Sequence, residues 1–338
     1  MNKKVSIVTG TWNRFEMVCQ MVDAALAQTY PIYEVIVVDD CSPDNSYEKL
    51  LEKYQNNPIV KIFKQEKNTG GVPNWNSAID FATGEIVAWC SDDDRLFEWH
   101  IEKAMDFLEK NTDVDVVHAA FINIQETENF QYVGPINDDV LTQCEPSPQR
   151  TVKPIVIKGK QIVPYYTKYY NWPFHPSTLV FKKSVWENVG KFNPEFELAD
   201  SEWFIRIVLQ HKVAYLPYYG VLNRRHDGNW SSAMGSVKMQ VEVNTMMQRF
   251  IAVLKKQDNS LGFWWQCLRW KLNYQEVLLR IFISRTRFGM NEIALNAADE
   301  LRKSSLLLRL AFSSFLVKIY MFFISKFKKN MENLNFPH

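Results

Sequence analysis

Short apolar runs alternate with helix-period segments through the first 120 residues, and this alternation limits the fold more than any other feature. Val5 to Thr9, Glu34 to Val38, Val60 to Phe63, Glu85 to Cys90 and Val114 to Ala120 read as buried strands. Phe15 to Gln28, Asn45 to Tyr54, Asn74 to Ala82 and Phe97 to Lys110 read as helices between them. Alternating βαβα with apolar strands predicts an α/β fold, a mainly parallel sheet flanked by helices. The rhythm breaks after residue 120. A polar, proline-containing stretch from Asn137 to Pro154 reads as a binding loop or lid. A strand at Ser177 to Phe181, helices at Lys183 to Val189 and Asp200 to Gln210, and a strand at Val213 to Leu216 follow, with a loop over Leu222 to Ser232. From about Val237 onward the chain reads as helix. The 338 residues therefore divide into an α/β domain over 1–235, with halves 1–120 and 121–235, and a helical region over 236–338.

The charge balance of 39 Lys+Arg against 38 Asp+Glu argues against nucleic acid as a partner. Five widely spaced cysteines without a C-x-x-C pair point to a reducing compartment, so a cytoplasmic location is expected. The N-terminal stretch MNKKVSIVTGTWNR has too short an apolar core for a signal peptide and reads as a first strand. Near the other end, LLLRLAFSSFLVKIYMFFISKF is very apolar, but Arg309 and Lys318 interrupt it. An amphipathic tail over 306–329 fits a helix lying on a membrane surface. Packing on the domain, or on a second copy in a homo-oligomer, is the alternative reading.

Carboxylates gather where strands end. One strand runs into Asp39-Asp40 and another into Asp92-Asp93-Asp94, while the first runs into Thr11-Trp12-Asn13-Arg14. Parallel strands place these ends on one edge, where open α/β sheets bind ligands. Carboxylates crowded there need a cation or hydrogen-bond donors to offset their charge. A hard divalent ion, Mn²⁺ or Mg²⁺, shared with a diphosphate meets that need. The chain has neither G-x-x-x-x-G-K-[ST] nor G-x-G-x-x-G, which counts against P-loop enzymes and dinucleotide oxidoreductases.

The blocks VSIVTGTWNR, VIVVDDCSPDNS, NTGGVPNWNSAI and ATGEIVAWCSDDDRL, followed by FELADSEWFIR and LNRRHDGNWSS, resemble a family-2 glycosyltransferase with the GT-A fold. The resemblance covers about residues 4–235. It implies a nucleotide-sugar donor, with UDP the usual carrier, and a saccharide acceptor. It assigns the donor to Thr11, Trp12, Arg14, Asp39, Asp40, Asn76, Asp92 and Arg224, and the metal to Asp93, Asp94 and His226. Trp12 stands where the family usually has Tyr, and Ser91 where its D-x-D-D pattern begins with Asp. Asp200 matches the catalytic base, with Ala199 where the family has Glu. Trp172, His175 and Glu202 are acceptor-side candidates. The implied reaction is an inverting transfer in which Asp200 takes the acceptor's proton. A membrane-bound tail would suit a lipid-linked acceptor at the inner face of the plasma membrane, as in bacterial surface-polysaccharide synthesis. A nucleotidyltransferase and a catalytically inactive sugar-binding module are the competing readings.

Overall fold

Val5–Thr11 (β1) and Glu34–Asp39 (β2) are buried along their whole length. Strands without a polar face must be covered on both sides, and helices do so here. In this computed structural model the described residues are 2–125, 145–146, 153–162, 175–226, 228–229, 236–256, 260–287 and 291–304. The chain forms two units, residues 1–162 with 171–227, and residues 163–170 with 228–338.

In the first unit, Phe15–Leu26 (α1) follows β1 and Ser46–Tyr54 (α2) follows β2. Val60–Lys64 (β3), Gly71–Asp80 (α3), Ile86–Trp89 (β4), Arg95–Leu96 (β5), His100–Lys110 (α4) and Val116–Gln125 (β6) come next. Glu145–Pro146 (β7), Ile155–Ile157 (β8), Val180–Lys182 (β9), Lys183–Val189 (α5), Ala199–Gln210 (α6) and Val213–Arg225 (β10) complete it. The sheet runs β3-β2-β1-β4-β9-β6-β10-β5, with β7 on β6 and β8 on β10. β1 pairs in parallel with β2 and β4, and β2 with β3. β9 is antiparallel to both β4 and β6. It therefore enters the sheet from the edge where β1, β2 and β4 end, and brings the preceding residues His175 to Thr178 there.

Several elements differ from the sequence expectation in their bounds, and two of them bear on the site. α3 begins at Gly71 rather than Asn74, because Gly70 adopts φ +86 and turns the chain into the helix early. β10 runs on to Arg225 rather than stopping near Leu216. Register shifts between Leu216 and Val221, beside Pro217, let it keep pairing with β6 after the irregularity. Arg224 is consequently a strand residue with 2% exposure, not a loop residue.

Below the site an aromatic cluster fills the core. Phe192 lies 5.2 Å from Trp89, 5.3 Å from Trp186 and 5.1 Å from Trp203, ring centre to ring centre. The abundant aromatics thus serve packing here.

At the opposite edge Glu34 is fully buried. It accepts hydrogen bonds from Ser6 Oγ at 2.6 Å, Thr83 N at 2.7 Å and Lys61 Nζ at 2.5 Å. Burial alone would raise its pKa, but the Lys61, Ser6 and Thr83 donors outweigh it and hold the carboxyl at about 2. A depressed carboxyl pKa gives stability that is full above the unfolded value and lost as pH falls through the folded one. Acid titration of unfolding should therefore show wild type losing an advantage of about 3 kcal/mol over Glu34→Gln as pH falls to about 2. An identical acid profile for the two proteins would contradict this.

In the second unit Ser236–Lys255 (α7), Leu261–Arg287 (α8) and Asn291–Ser304 (α9) follow one another. Leu278, Phe282, Ala297 and Leu301 form part of their apolar core. No helix among the described residues is long and apolar enough to cross a membrane. The tail over 306–329, Trp172 and most of the 137–154 stretch lie outside the described residues.

Candidate active site

The turn after β4 carries three consecutive carboxylates, of which the first two share one partner and the third has its own. Asp92 accepts from Thr11 Oγ1 at 2.7 Å and from Arg14 Nη1 at 3.1 Å. Asp93 accepts from the same Arg14 nitrogen at 3.0 Å, and its Oδ2 lies 3.2 Å from His226 Nε2. One guanidinium thus bridges two carboxylates, the charge offset that the crowding requires. Burial raises the pKa of both groups. For Asp93, the His226 hydrogen bond and the Arg14 charge outweigh burial and lower it. For Asp92, burial and the Asp93 charge prevail and raise it. Asp93 is therefore the committed anion of the pair.

Asp94 turns inward instead. Its oxygens accept from Ser177 Oγ and from the Arg224 backbone N–H at 3.2 Å, and it is 1% exposed. Burial and the neighbouring Asp93 push its pKa well up. Asp94 ties the acidic turn to the start of β9 and the end of β10 with both oxygens engaged there, and among the described residues it does not form one ligand group with Asp93 and His226, to which the sequence reading joined it. Arg224 differs likewise: it is buried in β10 and meets this network through its backbone. Ser177, which also accepts from Ser91 N at 3.0 Å, was invisible in the sequence. It lies 83 positions from Asp94, and only the reversed direction of β9 brings the two together.

The β1 and β2 ends are knitted together. Asp39 accepts from Ser42 N at 2.9 Å, and Ser42 Oγ accepts from Asn13 N at 2.8 Å. Asp40 accepts from Thr69 N and Oγ1 at 2.8 Å each and from Gly70 N at 2.8 Å. Its carboxylate holds the turn into α3, a partner that the sequence pattern did not reveal. Trp12, beside it, is 49% exposed, so its ring is available for stacking. Asn76 uses both ends of its amide on the Phe192 backbone, at 3.0 Å each, and does not join the carboxylate group.

Asp200 opens α6. The helix is anchored by Trp203, whose Nε1 donates to Gly190 O at 2.6 Å within the aromatic cluster. Arg206 reinforces this by donating to Val189 O and Lys191 O at 2.6 Å each, while Glu202 accepts from Arg206 Nε at 2.9 Å. Glu202 is thereby committed to helix anchoring. Burial raises the Asp200 carboxyl to about 6, against the opposing pull of Ser201 donors at the helix start. A carboxyl with that pKa is ionised at neutral pH yet basic enough to accept a proton. His175 Nδ1 lies 3.8 Å from Asp94 Oδ2, and burial lowers the ring's pKa to about 4.

Paired carboxylates offset by Arg14 at the carboxyl edge of the parallel strands mark a ligand-binding edge, and Asp200 at its helix start is a carboxyl suited to take a proton. Comparison with known proteins assigns the class. The model for "Glycosyl transferase family 2" matches residues 6–172. An uncharacterized glycosyltransferase of Bacillus subtilis, YwdF, is 24% identical over 242 residues, 70% of this chain and 81% of that protein. The poly(ribitol-phosphate) beta-N-acetylglucosaminyltransferase TarS of Staphylococcus aureus is 31% identical over 124 residues, 36% of this chain but 22% of TarS. The structure of S. aureus TarS 1–349 in complex with UDP-GlcNAc superposes with a TM-score of 0.62 at 17% identity, covering 97% of this chain and 92% of that one. A Pyrobaculum calidifontis mannosyltransferase, PcManGT, in complex with GDP-Man and Mn²⁺ superposes with a TM-score of 0.52 at 14% identity, covering 99% and 89%. Residues 6–172 form a family-2 glycosyltransferase domain, and the first unit has the GT-A fold.

Proposed function

We propose that this glycosyltransferase moves a sugar from a UDP-linked donor to a hydroxyl of a bacterial surface polysaccharide, with inversion at the anomeric carbon. The observation that carries the reading is the grouping of Thr11, Arg14, Asp92, Asp93 and His226 on one sheet edge. The relatives support it: TarS is named for a sugar transfer involving poly(ribitol-phosphate), and the TarS 1–349 structure holds UDP-GlcNAc.

Asp93 and His226 fit a divalent cation, because their ligating atoms lie 3.2 Å apart and both can face one ion. Among the described residues no third His, Cys, Asp or Glu completes the set. That suits Mn²⁺ or Mg²⁺, which usually keep positions for water and phosphate oxygens. When bound, the ion supplies charge neutralisation for the donor diphosphate. The chain's own residues do the rest. Trp12 offers its exposed face to the base, and Thr11 and Asp92 line the approach to the ribose. Arg14 offsets charge beside the diphosphate. Asp200 accepts the acceptor's O–H proton as that oxygen bonds to the anomeric carbon, and the bond from that carbon to the diphosphate oxygen breaks. The apolar, basic tail over 306–329 suits attachment to an anionic membrane surface, where a lipid-linked acceptor would be presented.

Calorimetric titration with a panel of nucleotide-sugars, with and without Mn²⁺, tests the donor class. Saturable binding of one UDP-sugar, tightened by Mn²⁺, is the expected result. Equal binding of free sugars, or none by any nucleotide-sugar, would remove the reading.

A further inference from the structure

α8 is apolar on two faces. Tyr274, Leu278 and Phe282 turn into the core of the second unit, with Ala294, Ala297 and Leu301 of α9. Leu268, Leu272 and Leu279 do not, and are 44%, 54% and 38% exposed. At 100° per residue these three fall within about 40° of one another and form a single narrow stripe along the helix. Exposed leucines scattered singly are ordinary, whereas three aligned on a helix that already has a core face mark a surface for contact.

The spacing says what kind of contact. Leu268, Leu272, Gln275 and Leu279 follow one another at intervals of four, three and four residues, the d-a-d-a order of a coiled-coil seam. The seam closes at Phe282, the next position in the series, which is 5% exposed and belongs to the core. A helix lying on a membrane presents a broad apolar face of about 100° or more, edged with Lys and Arg. This stripe is narrower, holds Gln275 within it and has Glu276 at its edge. Its width is that of a seam between two helices.

The flanking charges select the partner and its direction. Lys271 lies on one side of the stripe and Glu276 on the other, five residues further on, at a g position and the following e position. When two copies of one helix pair in parallel, each g side chain faces the following e side chain across the seam. Lys271 then meets Glu276 of the partner subunit, and symmetry forms the pair twice. Arg280 of the same helix holds Glu276 through Oε1, at 2.7 Å, which leaves Oε2 for the lysine. An antiparallel pair would instead bring the two Glu276 carboxylates together near its centre, where like charges repel. Parallel pairing also sets the two Gln275 amides against each other, and each can donate to and accept from the other. A single polar residue in a seam favours the register that makes such a match.

We propose that α8 is a self-association surface, pairing in parallel with α8 of a second copy to form a two-fold symmetric dimer through the second unit. The proposal concerns assembly and uses no residue of the acidic edge, so its outcome is independent of the transfer reaction.

Sedimentation equilibrium of the full chain over about 1–200 μM should show monomers in equilibrium with dimers. Leu272→Lys with Leu279→Lys should raise the dissociation constant by about 100-fold or more with the circular dichroism unchanged, because apolar side chains at the centre of an interface carry most of its energy. Lys271→Glu should weaken the dimer by about tenfold, and adding Glu276→Lys should restore most of the loss. That rescue requires the two positions to face each other. Under mild oxidation Leu279→Cys should form a disulfide with its own copy, identified by mass spectrometry of the linked peptide, since only parallel pairing sets position 279 against itself. A chain that stays monomeric over this range overturns the proposal. So does a leucine variant that dimerises as wild type does, a charge exchange without rescue, or a Leu279→Cys protein that does not link to itself. Vesicle binding to phosphatidylglycerol that falls in the leucine variant, with wild type monomeric, would give the stripe to a membrane and also overturn it.

Discussion

Asp200→Asn should lower kcat by about 10²- to 10⁴-fold while leaving donor affinity within a factor of about two, since a general base contributes on that scale. The substitution keeps the size and the helix start, and removes only the ability to take a proton. The pH profile supplies a second signature. Burial lifts the Asp200 carboxyl from its ordinary value to about 6, so the ionised, active form is lost as pH falls through about 6. Wild-type kcat/KM should therefore fall on the acid side with a midpoint near that value, and the residual rate of Asp200→Asn should lack this limb. Stability should move the opposite way. A carboxyl whose folded pKa is raised stabilises the fold only when protonated, and that contribution is lost as pH rises through about 6. At neutral pH Asp200→Asn should thus match or exceed wild type in Tm while being nearly inactive. Steady-state kinetics and a thermal melt on one preparation decide the matter. A variant that is both inactive and unstable would mean that Asp200 merely starts its helix.

Asp93→Ala should weaken donor binding by roughly 100-fold, the scale set by losing one buried member of a charged group. Asp93 is the point where Arg14 and His226 meet, on the same Oδ2 atom. Removing it leaves both without their shared anion and takes away one of the two candidate metal ligands. The calorimetric titration with and without Mn²⁺ should show weak binding with no dependence on the ion. An affinity within about threefold of wild type would place the diphosphate elsewhere and shift attention to Asp92.

The carboxyl edge was legible because β1, β2 and β4 are short, mostly apolar runs followed at once by polar residues. Alternating with helix-period segments, such runs read as buried parallel strands, whose ends mark the ligand edge. The direction of β9 was not legible, since a three-residue strand carries no signal of parallel or antiparallel pairing. That direction decides where His175 and Ser177 sit, and so decides that Asp94 is a structural tie rather than part of one ligand group with His226 among the described residues. Arg224 was misplaced for a related reason. Pro217 and two consecutive arginines look like a loop, whereas register shifts in β10 absorb the proline and carry the strand to Arg225. Asn76 and Glu202 sit inside sequence blocks that also contain site residues, and pattern alone cannot separate a contact with ligand from a hydrogen bond to the Phe192 backbone or to Arg206. Partners far apart in sequence, Thr69 with Asp40 and Ser177 with Asp94, leave no trace in spacing.

The anomeric configuration of the product tests the central claim most directly. Proton NMR of the newly formed glycosidic bond, made from an α-linked UDP-sugar at early times, reads it without knowledge of the rate. One displacement with Asp200 as base predicts a β-linked product. An α-linked product would require two displacements or a front-face path, and would contradict the account.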